Sequence, residues 1–582
     1  MDLFGTAVTA IHEIYTITVF IREVVQEIKN YDESIAQIQA KFDIEYAFLV
    51  EFKRLFFDDD DKLRQYQYLS PHLLRAIDAV VVELNKGLAD YRLFIKGHGL
   101  DISDLEADSA AAAVAELAIQ KSEDVDAASV QAPTGKRAKL QGFWDNMKKE
   151  VGEKKRQLKW ALFNKEKIEA LVDQYEIWSG KLRRVMKLVL LVEGRVGSQT
   201  QADLANNHTK PALGLGKAAA RQIRAQDSEP STDFTPVEGE FEPGPGRQDA
   251  SASYQIGTYI DELGESIPAI SEQHAFDIFE DDTDEYTKQR IRLQMIRSLA
   301  WMLTVDNASR DEGPGETSTD LLQCIGYVED NGNKYPALLY RLPASEPNLG
   351  KQTLYDYINP ATVPSLGDRF HVAWSLASTV FNIHTSGWVH KNIQSRGILI
   401  SSANQASGKR PTPYLVGWTA ARPRTRQLGL VSLAAGQLRM QMEKKQSQPP
   451  AVPLESQLYM HGDRYGGTTR GYECKHDIYS LGVVLLEIGL WEPMGKIFED
   501  GCKLAKRKGK LPPYAAVLQK LIQKSEDSDL ARAMGREYGR IVRRCLKTEF
   551  EVDQDQEDDK HTLLISQFQT LVVDRLQAGS LL

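Results

Sequence analysis

The side chains best suited by type and spacing to do chemistry lie in one short run, 388–400, which reads WVHKNIQSRGILI. The run offers an imidazole, His390, and two amides, Asn392 and Gln394, but no carboxylate to act as a base. Asn392 ends in an amide, which has no basic oxygen at neutral pH. Gln394 is a second amide, and Gly397 brings no side chain. Further on, Tyr414-Leu415-Val416-Gly417-Trp418-Thr419 also holds a glycine, Gly417, and no carboxylate. Magnesium needs oxygen ligands, and positions 392, 397 and 417 supply no carboxylate. His390 lies in the run itself, and Asp477 opens a strongly apolar helix-like stretch further on.

Other candidates are weaker. The acidic run Asp58 to Asp61 lacks the alternating ligands and glycine of an EF-hand loop and reads as a solvated loop. The four cysteines, Cys324, Cys474, Cys502 and Cys545, are too few and too scattered for a disulfide framework or a zinc site. They point to a reducing, intracellular setting. A basic stretch from Lys136 to Lys159 contains Lys148, Lys149, Lys154, Lys155 and Arg156, with Phe143 and Trp144 among them. It could meet anionic lipid at about 1 kcal/mol per basic residue, or simply flank a bundle as an exposed helix.

These residues need elements to hold them. The chain has 582 residues and a net charge of −10, with 42% hydrophobic and 26% charged residues. That is the balance of a globular protein and argues against an overall basic nucleic-acid binder. Ile14, Ile17 and Ile21 follow the three-four spacing of a buried helical face. Ile38, Phe42, Tyr46 and Leu49 predict a second helix. Leu74, Ile77, Val81, Leu84 and Tyr91 predict a third, opened by Ser70-Pro71. Ile168, Leu171, Tyr175, Trp178, Leu182 and Val185 predict a last long one. Together they predict an all-α bundle over 1–195. Over 196–253 periodicity fades and Pro, Gly, Ser, Asp and Glu dominate, which predicts a flexible linker. The rest, 254–577, reads as α+β. LLQCIGYVED and KYPALLYRLP form a hairpin around Asn331-Gly332-Asn333, followed by helices near 369–384 and 479–490. The first apolar run is interrupted by His12, Glu13 and Arg22, so neither a signal peptide nor a spanning helix is expected.

The run 388–400 resembles the protein-kinase catalytic loop His-Arg-Asp-Leu-x-x-x-Asn. Gly417-Trp418-Thr419 resembles the Asp-Phe-Gly turn, KHDIYSLGVVLLEIGLWEP (475–493) the kinase helix that opens with Asp, and RIVRRCLKTEF (540–550) the last kinase helix. The resemblance implies a bilobal kinase-like fold over 254–577, with a reduced N-lobe. It places Asn392 at the catalytic aspartate, Gln394 at the lysine, and Gly397 and Gly417 at the two metal-holding positions. It implies a capping role for Asp477, and puts Trp418 in the turn that follows. No lysine lies between Lys217 and Lys288, no glutamate between Lys288 and Thr304, and Gly257-x6-Gly264 is a poor glycine-rich loop. The implication is a pseudokinase without cofactor or metal.

RQLKWALFNKEKIEALVDQYEIWSGKLRRVMKLVL (156–190) resembles the end of the fungal HeLo domain, also called the prion-inhibition and propagation domain. The pairing of bundle and degenerate kinase is similar in layout to the mixed-lineage kinase domain-like effectors. What this implies is a cytoplasmic signalling protein of fungal cell death or incompatibility. The pseudokinase would sense an upstream signalling protein. The bundle would self-oligomerise or engage an anionic membrane peripherally on activation, and nucleic acid is not an expected partner. Two other readings stay open: an active atypical kinase using Asp463 or Asp477, and a scaffold that only binds proteins.

Overall fold

The computed structural model describes residues 11, 13–22, 33–56, 71–97, 165–188, 202, 205, 215–226, 230–244, 254–273, 285–304, 321–329, 336–343, 349, 352–358, 361–401, 410–418, 421–423, 455–464, 472–509, 512–550 and 559–580. The chain divides into two compact units, one built on Met1–Val189 and the other chiefly on Gly216–Glu312 and Thr317–Leu582.

The first unit is helical throughout its described residues. Helix α1 covers residues 13–22, and is followed by α2 (Glu33–Phe56), α3 (Pro71–Gly87), α4 (Ala89–Gly97) and α5 (Lys165–Lys187). The three-four spacing places one apolar face of each helix inward. Ile14, Ile17 and Ile21 are buried, as are Phe42, Tyr46 and Leu49 on α2, Ile77, Val81 and Leu84 on α3, and Leu171, Tyr175 and Leu182 on α5. Helix α5 packs against both α2 and α3. The aromatic seam closes edge to face, with Tyr175 against Phe42 at 5.6 Å and against Trp178 at 5.7 Å. The acidic run 58–61 and the basic stretch holding Lys148, Lys149, Lys154, Lys155 and Arg156 lie outside the described residues.

The second unit joins a sheet to helices. The interval 196–253, expected as linker, holds helix α6 (Gly216–Gln226) and strand β1 (Gly239–Pro243). A short Ala-rich helix and a five-residue edge strand carry too little periodicity to stand out beside the Pro and Gly around them. Strands β2 (Tyr254–Asp261) and β3 (Ser266–Gln273) follow, then helix α7 (Glu285–Leu303), β4 (Gln323–Val328) and β5 (Ala337–Arg341). The sheet is antiparallel, in the order β1-β2-β3-β5-β4. Five strands stand where the sequence suggested two. One face buries Phe241, Tyr259, Ala269, Val328, Ala337 and Leu339 together. The period of two turns Ile270 and Glu272 of β3 to the opposite face, where Ile270 is paired with Tyr340 of β5. Helix α7 packs on β4 and β5.

The remaining chain is mostly helical: α8 (Leu354–Tyr357), α9 (Leu366–Thr385), α10 (Cys474–Leu490), α11 (Met494–Ile497), α12 (Glu499–Lys508), α13 (Tyr514–Ser525), α14 (Ser528–Lys547), α15 (Asp559–Phe568) and α16 (Asp574–Ser580). Between α9 and α10 lie two short antiparallel pairs. Strand β6 (Trp388–Val389) pairs with β9 (Arg422–Pro423), and β7 (Ile398–Ile400) with β8 (Pro413–Leu415). Helix α10 is the hub, with Ile478, Leu481, Val484, Leu485 and Ile488 fully buried, and it packs against α9 and α14. The approach to α14 is close at Gly482, where a Cβ would lie 2.7 Å from the Cβ of Cys545. Any larger residue there would force the two helices apart.

Candidate functional site

The loop between β6 and β7 is hung from α10. Asp477 stands in the first turn of that helix, fully buried. Its Oδ2 accepts the His390 N–H at 2.8 Å, and its Oδ1 accepts the Lys391 N–H at 2.9 Å and the Tyr472 hydroxyl at 3.0 Å. His384 Nε2 lies 3.1 Å from Oδ2. Burial works against the Asp477 charge, but His384 and these N–H donors outweigh it and hold the carboxyl below its ordinary range. Burial also opposes a charge on His384, yet Cys474 and Asp477 lift that imidazole to about 10. Lys391 takes a left-handed backbone, φ 71°, which costs energy outside glycine and is sustained by the Asp477 anchor.

His390 is fully buried, and burial pushes it down to about 4, so it is neutral at physiological pH. Its ring packs edge-on to Trp418 at 4.7 Å, and its Nδ1 accepts the Asn392 N–H at 3.3 Å. Trp418 in turn donates from Nε1 to Leu415 O at 2.9 Å. Both residues thus support the loop from within.

Asn392, Gln394 and Gly417 meet. Gln394 Nε2 donates to Asn392 Oδ1 at 2.8 Å. Gly417 has φ +89°, and a Cβ there would fall 2.6 Å from Asn392 Nδ2. The amide of Asn392 takes the space in which a side chain at 417 would begin. Gly397 is less constrained, since a Cβ there would make ordinary contacts, 3.4 Å from Asn392 O. Its carbonyl accepts the Val416 N–H at 2.9 Å, joining the two segments.

A residue the sequence reading passed over completes this cluster. Glu272 of β3 is fully buried, and its Oε2 accepts the Gly417 N–H at 3.0 Å. Between Ser271 and Gln273 it reads as one more polar residue. The available signal was period two, which puts Glu272 on the same face as Ile270. Glu272 thus brings to this turn an acid oxygen that positions 392, 397 and 417 do not supply, while β3 carries no lysine.

A second polar cluster lies at the start of α10. His461, Asp463 and His476 gather within 4.8 Å of one another. Each imidazole Nδ1 already accepts a backbone N–H, from Asp463 at 3.1 Å and from Glu473 at 2.8 Å. That leaves the proton on Nε2, so His476 faces Asp463 with N–H rather than with a lone pair. Lys475 Nζ lies 2.8 Å from Asp463 Oδ2. Burial opposes the Asp463 charge, but Lys475, His476 and His461 outweigh it and hold the carboxyl near 2. The arrangement is a clamp between the 462–464 turn and α10.

Among the described residues no helix is long and apolar enough to cross a membrane. The sequence matches no family model and no curated protein.

Proposed function

We propose that the second unit is a protein-kinase-like domain that does not transfer phosphate. The particular protein is then a signalling effector in which this domain governs a HeLo-like helical bundle. The order β1-β2-β3-β5-β4 with a helix between β3 and β4, the β6–β9 and β7–β8 pairs, and an aspartate at the start of α10 binding the 390–391 backbone all support the kinase-like reading. Kinases bring a lysine on the third strand to the phosphates and an aspartate to magnesium. Here β3 brings Glu272, and position 417 is a glycine bonded to it. The missing cation carries the reading: β3 has a glutamate and no lysine to meet phosphates, and no lysine lies between Lys217 and Lys288. An unorthodox kinase would need Asp463 or Asp477 to act in catalysis, and both are committed to cationic and N–H partners.

The bundle is the effector half. An upstream protein acts on the kinase-like half, and the bundle then oligomerises or engages an anionic membrane peripherally. Two measurements test the proposal. Magnesium and ATP together should leave the melting temperature of the full chain unchanged, and a magnesium-dependent rise of several degrees would favour an active kinase. The first unit alone, residues 1–215, should bind phosphatidylserine vesicles more strongly than the full chain. Equal binding would remove control by the kinase-like half, and no binding by either would favour a scaffold.

A further inference from the structure

The core of the first unit contains a charged pair that a bundle of this size does not need for burial. Glu45 of α2 and Arg183 of α5 are 6% and 8% exposed. Their closest approach, Arg183 Nη2 to Glu45 Oε2, is 3.8 Å, too long for a hydrogen bond. Arg183 Nη1 donates to Ser179 Oγ at 2.9 Å, and its guanidinium lies over Phe48 at 4.3 Å. Among the described residues Glu45 Oε2, Arg183 Nε and Arg183 Nη2 have no hydrogen-bond partner, and the Glu45 carboxyl is otherwise bonded by Ser179. Burial raises the Glu45 carboxyl and lowers the Arg183 guanidinium, in each case against the charge the pair needs.

The other ion pairs of this unit show the opposite pattern. Arg22–Asp43 and Arg92–Glu13 close to 2.6 Å, and Lys181–Glu83 to 2.8 Å, all on partly exposed side chains. Among the described residues the most buried pair therefore has the poorest geometry. It is not alone in the core. Thr18 is fully buried and hydrogen-bonded to Tyr175 and to Ile14 O, and the Tyr15 and Tyr46 hydroxyls lie 3.5 Å apart. This polar layer joins α1, α2 and α5.

We infer that the Glu45–Arg183 pair keeps the packing of α2 on α5 close to opening, so that the bundle is held ready to rearrange rather than locked. A buried pair regains its desolvation cost only through good geometry and full hydrogen bonding, and this one has neither. Well-packed apolar residues of similar length should hold the helices more tightly. Removing one partner should do the reverse, by leaving the other charge buried alone. The consequence for membrane engagement rests on the function proposed above, whereas the energetic inference does not.

Hydrogen exchange on the full chain tests it, read at amides of α2 and α5. In E45M/R183M the population of the open state should fall about tenfold, and in E45M alone it should rise about tenfold. A second double variant, E45Q/R183M, should move in the same direction as the first, which guards against a packing failure peculiar to two methionines. Double variants that exchange as fast as the native chain, or faster, overturn the inference. Leakage of phosphatidylserine vesicles supplies the functional arm. Any leakage by the native chain, held back by the kinase-like half, should be slow, and E45M/R183M should leak about tenfold more slowly still. Equal leakage with slowed exchange overturns the gating role. A native chain that leaks nothing is the held state proposed above, and the exchange result then decides alone whether the pair loosens the bundle.

Discussion

Two fully buried carboxylates stand at opposite ends of helix α10, and they live in different regimes. Asp477 meets an imidazole, two backbone N–H groups and a tyrosine hydroxyl, and it stays charged. Among the described residues Glu487 meets no cation. Its Oε1 accepts the Met494 N–H at 2.7 Å, the Tyr459 hydroxyl at 2.8 Å and the Ser395 hydroxyl at 3.1 Å, while Oε2 has no partner. Burial pushes Glu487 up to about 7. Both grip the same loop, Asp477 at residues 390–391 and Glu487 at Ser395. Burial is equal at the two ends, so the partners decide the ionisation: a cation and several N–H donors hold one charge, while three neutral donors barely hold the other.

The comparison breaks most visibly at Asp477. Asp477→Ala removes the counter-charge of His384 and the acceptor of two backbone N–H groups, and should destabilise the second unit by about 3–5 kcal/mol in denaturant titration. A loss below about 1 kcal/mol would show that the loop does not depend on this anchor.

At the other end the expected effect depends on pH. The Glu487 carboxyl sits at about 7 when folded, against an ordinary 4.5. Below 4.5 it is protonated in both states and its contribution is fully present. As pH rises to 7 the unfolded chain ionises first, and the native state loses up to about 3 kcal/mol relative to the unfolded one. Glu487→Gln cannot ionise. The difference in stability between variant and native chain should therefore move in the variant's favour from pH 5 to pH 8. A difference that stays flat would place Glu487 with Asp477 as a permanently charged group.

Gly417→Asp sharpens the comparison from the loop's other side. It puts a side chain at φ +89° and against Asn392 Nδ2, and should cost roughly 1–3 kcal/mol. The smallest effect belongs to the surface. Arg543 meets Glu526 at 3.0 Å with both side chains well exposed, and Arg543→Ala should change stability by less than about 1 kcal/mol.

Much of this was legible in the residues. Ile14, Ile17 and Ile21, Phe42 and Tyr46, and Tyr175 and Leu182 lie on buried faces as their spacing requires. The β4–β5 hairpin pairs as its two apolar runs suggest. Helix α10 is apolar on every side and could only be a central element. Strand β1 was not legible, because Phe241 is the one fully committed apolar residue among acidic, Pro and Gly neighbours. Glu272 was not legible either. A lone glutamate on a strand ordinarily faces solvent, and only the pairing of β3 with β5 and the return of the chain at Gly417 bury it. The amide at 392 and the glycine at 417 could be named separately. That they fill the same space is a fact of three dimensions.

The proposed reading requires that the turn around Gly417, with a glutamate and no lysine on β3 beside it, hold no metal–nucleotide pair. Calorimetric titration of the full chain with ATP in the presence of magnesium tests this most directly. The expected result is no saturable heat for the native chain. Saturable, magnesium-dependent binding that disappears in Glu272→Ala or Asn392→Ala would contradict it.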